Sequence, residues 1–381
     1  MPTEITTDRL RELAETRATP GKVLSVFINL DPRHFAAPPA RATEIASVLD
    51  AAARTIRDHA DLTDAERSVL TADVERIRRQ VRAGAELDGA RGLAVFACET
   101  AGLFEVIKLP RPVEHKVAIG DTPCVEPLAR IGTGEPWWLL LVDRRRARLL
   151  AGTLDGLVEL WRQDDEISRR HDQGGWSQAR LQRAVDKEAE DHLRAVDHEL
   201  RRRLLSTRIA GLLLAGPNET TRRLWGLMHS EVARHVKGRF DADVWNSSPD
   251  DVLEAARPLL EELDRRRDEE LRRRIEEELA TDGRAAAGLE QVLLAVHERR
   301  IDTLAVQDGL AAKGTRCPRC GRLGVSAGAM CPGDGAVTEA VDDVVSDAVS
   351  ATLAQKARVR WLPADDPFLA QHGGVAALLR F

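Results

Sequence analysis

The stretch HDQGGWSQARLQR, residues 171–183, sets two adjacent glycines among arginines, directly ahead of a long charged segment. A Gly-Gly tip follows backbone paths closed to other residues, which lets main-chain N–H groups come close to a ligand. Such groups stabilise a developing oxyanion without titrating. Arg169, Arg170, Arg180 and Arg183 flank the glycines on both sides, and guanidinium groups suit phosphates. Gly174, Gly175, Trp176, Ser177 and Gln178 therefore form a candidate catalytic tip. The four arginines, with His171, are its candidate RNA contacts. The chemistry they point to is ester hydrolysis beside a nucleic-acid backbone. A Gly pair also marks an ordinary turn before a helix. His171 is a general base by residue type, or a solvated loop histidine.

A second constellation lies late in the chain. CPRCGRLGVSAGAMCPGDG, residues 317–335, holds Cys317, Cys320 and Cys331, and Asp334 sits where a fourth cysteine would complete a second CxxC. A CxxC turn containing Pro and followed by Gly is a usual zinc knuckle, and carboxylate oxygen also binds zinc. The set is a candidate structural zinc site; the alternative is a degenerate ribbon with reduced thiols. Cys98 and Cys124 read as thiols without a role.

Long helices and buried strands must position these residues. Residues 7–16 read as a short amphipathic helix, VLSVFINL (23–30) as a buried strand, and 41–58 and 63–83 as helices. Thr63 and Glu66 form a capping box for the second of these. Residues 91–98 and 103–110 read as a strand pair. A new unit opens near IGTGEP (131–136): strands at 136–143, 148–153 and 157–161, then a helix of about 28 residues to Thr207. IAGLLLAG (209–216) has no polar position, so it is expected to be central and covered on both faces. Asn218 is expected to cap a helix to about Val236, and FDADVWN (240–246) to be a last strand. A long Glu/Arg-interleaved helix, 249–283, leads to a small α/β sandwich: helix 286–300, strand DTLAVQ, the cysteine insert, helix 338–355, and strands KARVRWL and VAALLRF.

At 381 residues the chain is too long for one ordinary core. The expected division is 1–132, 133–268 and 269–381, with the insert at 317–335. A net charge of −6 argues against a protein that coats nucleic acid through a broadly basic surface, while leaving local basic patches. Arg201–Arg203 with Arg208 form one such patch, or a solvated helix face. Arg144–Arg146 form a basic hairpin tip, and Trp137 and Trp138 read as core. The start MPTEITTDRL is polar, no apolar run approaches the roughly 20 residues of a membrane span, and five cysteines do not make a disulfide framework. A monomer of the reducing cytoplasm, away from membranes, is expected.

The middle segment resembles the catalytic domain of archaeal and eukaryotic class-one peptide-chain release factors. It is more similar still to their bacterial relatives, the Vms-type peptidyl-tRNA hydrolases. The shared pattern is Gly-Gly-Gln, then Ser, then Arg-hydrophobic-x-Arg at a helix start. Gly174, Gly175, Ser177, Arg180, Leu181 and Arg183 fall on it without a gap. Trp176 stands at the family glutamine, and a glutamine appears two residues later as Gln178. The resemblance implies an α/β protein of three domains: a mixed α/β domain, an RNase H-like middle domain, and a ribosomal-protein-like α/β/α sandwich with a zinc-ribbon-like insert. It implies binding in the ribosomal A site against large-subunit RNA, with the tip at a peptidyl-tRNA ester and delivery by a translational GTPase. The family's stop-codon-reading loop has no counterpart here. Two readings follow: a peptidyl-tRNA hydrolase of ribosome rescue, or an A-site binder that protects idle ribosomes without hydrolysis. A nuclease would need clustered carboxylates, and the first middle strands offer only Asp143.

Overall fold

A computed structural model describes residues 7–18, 21–35, 37–82, 90–109, 112–132, 135–154, 156–165, 178–281, 283–326 and 330–381. They form two compact units, one being Gly134–Asp268 and the other Met1–Thr133 together with Glu269–Phe381.

In the second of these, α1 (Thr7–Glu15) precedes β1 (Val23–Asn29), α2 (Pro38–Asp58), α3 (Asp64–Arg82), β2 (Gly92–Cys98), β3 (Leu103–Leu109), β4 (Lys116–Gly120) and α4 (Glu126–Gly132). The sheet order is β3-β2-β1-β4, antiparallel throughout. The two-residue alternation of β1 decides the layers. Leu24, Val26 and Ile28 pack with Leu49, Ile56, Leu70 and Ile77 of α2 and α3. Phe27 points the other way and meets Phe96 edge-on, ring centroids 5.9 Å apart. The capping box is present: Glu66 N donates to Thr63 Oγ1 at 3.3 Å, and Thr63 N donates to the Glu66 carboxylate at 2.8 Å. β4 and α4 add to the elements expected from sequence; β4 is a short, half-buried edge strand without a strong apolar pattern.

The other unit opens with β5 (Trp137–Val142), β6 (Arg146–Thr153) and β7 (Gly156–Asp164), followed by α5 (Gln178–Leu204), β8 (Gly211–Ala215), α6 (Asn218–Leu227), α7 (Ser230–Ala233), β9 (Val236–Phe240) and the first part of α8 (Pro249–Ala280). The order is β7-β6-β5-β8-β9, antiparallel over the first three strands and parallel over the last three, which is an RNase H-like sheet. β5 and β8 are buried along their whole length. Trp137, Leu139, Leu141 and Leu213 face Val252, Ala256 and Leu260 of α8. Trp138, Leu140, Val142, Leu212 and Leu214 face Leu193, Val196 and Leu200 of α5 and Leu224 of α6.

Two expectations are corrected in this unit. Asn218 does not cap α6: Pro217 holds the cap position, and Asn218 Oδ1 accepts from Arg239 at 2.8 Å instead. The helix expected from 218 to 236 breaks at Met228, which is extended. The last strand is 236–240 rather than 240–246. The Asp243 carboxylate accepts from Trp245 N at 2.7 Å and Asn246 N at 3.2 Å, and such bonds fold the backbone into a turn.

The chain from 269 onward adds β10 (Ala285–Ala287), α9 (Leu289–His297), β11 (Ile301–Gln307), β12 (Gly314–Arg316), β13 (Leu323–Gly324), β14 (Glu339–Val341), α10 (Val344–Ala354), β15 (Arg358–Leu362), α11 (Pro367–Gln371) and β16 (Val375–Leu379). The order β10-β16-β11-β15 makes an α/β/α sandwich. Val375, Ala377 and Leu379 pack with Val292 and Val296 of α9 and with Val345 and Val349 of α10. Ala376 and Leu378 pack with Leu369 of α11 and Ile275 of α8. The first cluster also holds Leu10, Phe27, Phe96 and Leu128, so the sheets on either side of the middle segment share one core. The helix expected over 338–355 starts later, at Val344. Asp343 caps it, accepting from Val345 N and Ser346 N at 3.2 and 3.3 Å, and β14 takes the residues before it. No described helix is long and apolar enough to cross a membrane.

Candidate functional site

Arg169, Arg170, His171, Gly174, Gly175, Trp176 and Ser177 lie outside the described residues, as do the side chains of Gln178 and Arg180. The two ends of that segment are described. β7 delivers the chain to Asp165, whose N donates to Arg145 O at 2.8 Å. Gln178 is the first residue of α5, and Arg183 is exposed on its first turns. The Asp165 carboxylate accepts from Gln163 Nε2 at 2.9 Å and from His192 Nδ1 at 2.5 Å. The His192 side chain is 1% exposed, and its Nε2 is buried without a hydrogen-bond partner among the described residues.

The arginines of this unit are largely paired. Arg148 is buried, bonded to the Glu159 carboxylate at 2.7 Å and to Ser247 O at 2.8 Å. Hydrogen bonds from Arg162 and then Arg148 hold Glu159 below the usual carboxylate range. Arg146 lies 3.7 Å over the Trp245 ring and pairs with Asp164, while Arg144 pairs with Glu219 at 2.8 Å. Asp143 closes the β5–β6 turn by accepting from Arg145 N and Arg146 N, both at 2.7 Å, and it also accepts from Trp245 Nε1. Its oxygens thus hold the hairpin tip and the Trp245 indole. On α5, Arg202 and Arg203 share Glu199 at 2.7 and 2.6 Å, and Arg201 reaches Glu231 at 3.2 Å. Arg202 first, then Arg203, hold Glu199 down at about 2. Arg201–Arg203 are thereby balanced by acids, as a solvated helix face would be.

Among the described residues, one group of three or more side chains could hold a metal: Cys317, Cys320, Cys331 and Asp334, with ligand atoms all within 4.8 Å of one another. Two turns of the same construction bring them together. In the first, Cys317 N donates to Arg322 O at 2.8 Å and Gly321 N to Cys317 O at 2.9 Å. In the second, Cys331 N donates to Ala336 O at 2.7 Å and Gly335 N to Cys331 O at 2.9 Å. Gly321 and Gly335 close the turns at φ +72° and +69°, a region that favours glycine. Cys320 Sγ and Cys331 Sγ are 3.5 Å apart, and Cys317 Sγ lies 3.3 Å from the Asp334 carboxylate. Tetrahedral zinc with sulfurs at about 2.3 Å separates them by about 3.8 Å, so the donor set fits such an ion with little movement. The Arg322 amide favours the Cys320 thiolate, but burial and the crowded acidic neighbours outweigh it and push the thiol up to about 12. Arg316, one residue before Cys317, ties the insert to Asp347 on α10 and to Asp121 at 3.7 Å.

Sequence reasoning named the four residues that the fold brings together as a possible metal site but missed the Asp165–His192 pair, whose members lie 27 residues apart. The paired glycines Gly321 and Gly335 carried a signal in the repeated CPxxG pattern.

Residues 123–261 match the bacterial archaeo-eukaryotic release factor family 10. The chain is 28% identical over 303 residues to peptide chain release factor subunit 1 of Archaeoglobus fulgidus, across 73% of this chain and 74% of that protein. It is 26% identical over 216 residues to the same subunit of Methanocaldococcus jannaschii, spanning 54% of this chain and about half, 51%, of that relative. Among solved structures it is similar to an archaeal translation termination factor, at 14% identity and TM-score 0.29 over 99% of this chain and 98% of that one. It is also similar to a model of ribosome-bound archaeal Pelota and ABCE1, at 14% identity and TM-score 0.42 over 100% and 95%.

Proposed function

We propose, from the premise that this chain is a bacterial relative of the archaeo-eukaryotic release factors, that it binds the ribosome and hydrolyses the ester of a peptidyl-tRNA in ribosome rescue. The observation that carries the reading is the 28% identity to the Archaeoglobus fulgidus release factor over 303 residues. It is supported by a family match whose span, 123–261, includes the GGWSQ segment. In this reading residues 1–132, 133–268 and 269–381 act as three domains in the A site. Gly174–Gln178 reach the ester, and Arg169, Arg170, His171, Arg180 and Arg183 lie against large-subunit RNA. The Trp176 amide remains available to a developing oxyanion, since every non-proline residue carries one. Gln178 supplies the carboxamide that Trp176 lacks. A translational GTPase is the expected delivery partner, and the cytoplasm the expected location.

Trp176 itself favours a second reading. An aromatic at the tip stacks on a base or ribose, worth on the order of 1–3 kcal/mol, and a chain that only docks needs no carboxamide. The A site of idle ribosomes would then be occupied without hydrolysis. Incubation with stalled ribosome complexes, scoring both pelleting and nascent-chain release, separates the two readings.

Cys317, Cys320, Cys331 and Asp334 hold zinc in this reading. The ion would cross-link two turns too short to carry a core of their own; it takes no part in the ester chemistry.

A further inference from the structure

We propose that Cys320 and Cys331 are an oxidisable pair: a hydroperoxide joins them in a disulfide that fastens the two cysteine turns in place of the metal and releases it. The release rests on the reading that the cluster holds zinc; the disulfide does not.

The cluster divides into two close contacts. Cys320 Sγ and Cys331 Sγ are 3.5 Å apart, whereas Cys317 Sγ faces the Asp334 carboxylate at 3.3 and 3.4 Å. The sulfurs in contact span the two turns, Cys320 closing the first and Cys331 opening the second. Cys317 has a carboxylate as its near neighbour, which cannot form a disulfide. A disulfide holds its sulfurs about 2.0 Å apart, so Cys320 and Cys331 have about 1.5 Å to close. The backbone around them is held by its own bonds. β12 pairs with both β13 and β14, Met330 bridges to Val337, and each turn closes on two backbone hydrogen bonds. The fold itself therefore brings the sulfurs together.

Access differs across the cluster. Cys320 is exposed, while Cys317 and Cys331 are 1% and 3% exposed. A small oxidant thus meets Cys320 first, with the Cys331 sulfur in contact with it. A thiol serving as a metal ligand is deprotonated, and the thiolate is the form that attacks an oxidant. Cys320 Sγ attacks one oxygen of hydrogen peroxide; the S–O bond forms, the O–O bond breaks and the other oxygen leaves as hydroxide. Cys331 Sγ then attacks the sulfenic sulfur; the S–S bond forms, the S–O bond breaks and a second hydroxide leaves. Two electrons pass from the sulfur pair to the peroxide, and each hydroxide takes a proton from solvent. Cys317 and Asp334 remain, two donors where a structural site needs four, so the metal leaves. Cys98 and Cys124 face hydroxyls instead, Thr100 Oγ1 at 3.2 Å and Ser346 Oγ at 3.6 Å, and serve as internal controls.

The test treats the full chain, as purified, with hydrogen peroxide. It reads intact mass, cysteine-peptide mapping and zinc freed to a chromogenic chelator. The expected product is a Cys320–Cys331 disulfide, lighter by about 2 Da, with about one zinc released per chain in step with it. Dithiothreitol should restore both thiols, and Cys98, Cys124 and Cys317 should stay free throughout. Chain stripped of metal by a chelator, its fold checked by melting, should form the same disulfide. So should Cys317→Ser, which lacks one donor but keeps the pair, while Cys320→Ser and Cys331→Ser should form none. A Cys317–Cys320 linkage within the first turn overturns the proposal. So do thiols that stay unlinked in the stripped chain under excess peroxide, or zinc retained by chains that carry the disulfide. Purified protein that holds no metal defeats the zinc reading alone, and the mapping then decides the disulfide.

Discussion

Asp334 occupies on its turn the place that Cys320 occupies on the other, three residues after a cysteine and just before a glycine at positive φ. The two turns close with the same pair of backbone bonds, so the carboxylate is delivered to the sulfurs by the same geometry that delivers a thiol. Purified protein is expected to contain about one zinc per chain, since structural sites use four such ligands. Cys317→Ser should lose it. Asp334→Cys should keep it against a higher chelator concentration, because thiolate binds zinc more tightly than a single carboxylate oxygen. Elemental analysis and chelator competition read both. Zinc retained undiminished by Asp334→Ala would remove Asp334 from the ligand set.

Glu199 sets a pH dependence. Its carboxyl is held at about 2 by Arg202 and Arg203, below the value of about 4.3 for an unfolded chain. A depressed carboxyl contributes stability above its unfolded value and loses it as pH falls through the folded one. The melting-temperature advantage of wild type over Glu199→Gln should be constant above about pH 5, shrink below about pH 4.5 and vanish only below about pH 2. An advantage that does not change across that range would show that the ion pairs do not stabilise the folded state.

Two glycines of the middle unit should respond in opposite directions. Gly216 ends β8 at φ +133°, and a Cβ there would lie 2.0 Å from Val142 O. Gly216→Ala should cost about 3 kcal/mol or more, from strain and a backbone clash together. Gly226, inside α6, has open space where a Cβ would go. Gly226→Ala should stabilise by about 0.4–1 kcal/mol. Denaturant melts of both variants check the pair.

The middle sheet was legible because β5 and β8 are continuous apolar runs, which only burial on both faces explains. The capping box at Thr63 and the cluster of Cys317, Cys320, Cys331 and Asp334 were legible because each is a short-range spacing. What escaped was set by partners distant in sequence. Asn218 is drawn from capping by Arg239 across the sheet. His192 finds Asp165 only once α5 lies along β7. Strand 236–240 alternates half-buried and exposed positions, so it carries a weaker apolar signal than the turn residues after it.

Ribosome binding should weaken with salt, because arginines released from phosphate are replaced by ions. Each phosphate contact lowers the logarithm of affinity by about 0.7–0.9 per decade of salt. Co-sedimentation with ribosomes across a salt series reads the slope. Failure to pellet at low salt would sink both the hydrolytic and the docking readings.

Peptide release from stalled ribosomes by wild type and Gly175→Ala, run beside pelleting, bears most directly on the proposed hydrolysis. A β-carbon at Gly175 closes conformations open only to glycine and, in the proposed reading, displaces the amide offered to the oxyanion. Loss of one such donor costs on the order of 100- to 1000-fold. The expected result is release by wild type, loss of release by Gly175→Ala, and equal pelleting of the two. Gln178→Ala should slow release as well if, as proposed, Gln178 supplies the carboxamide that Trp176 lacks. Release that persists undiminished in Gly175→Ala would place the chemistry on other residues. A wild type that pellets but releases nothing, and pellets less as Trp176→Ala, would leave docking as the function.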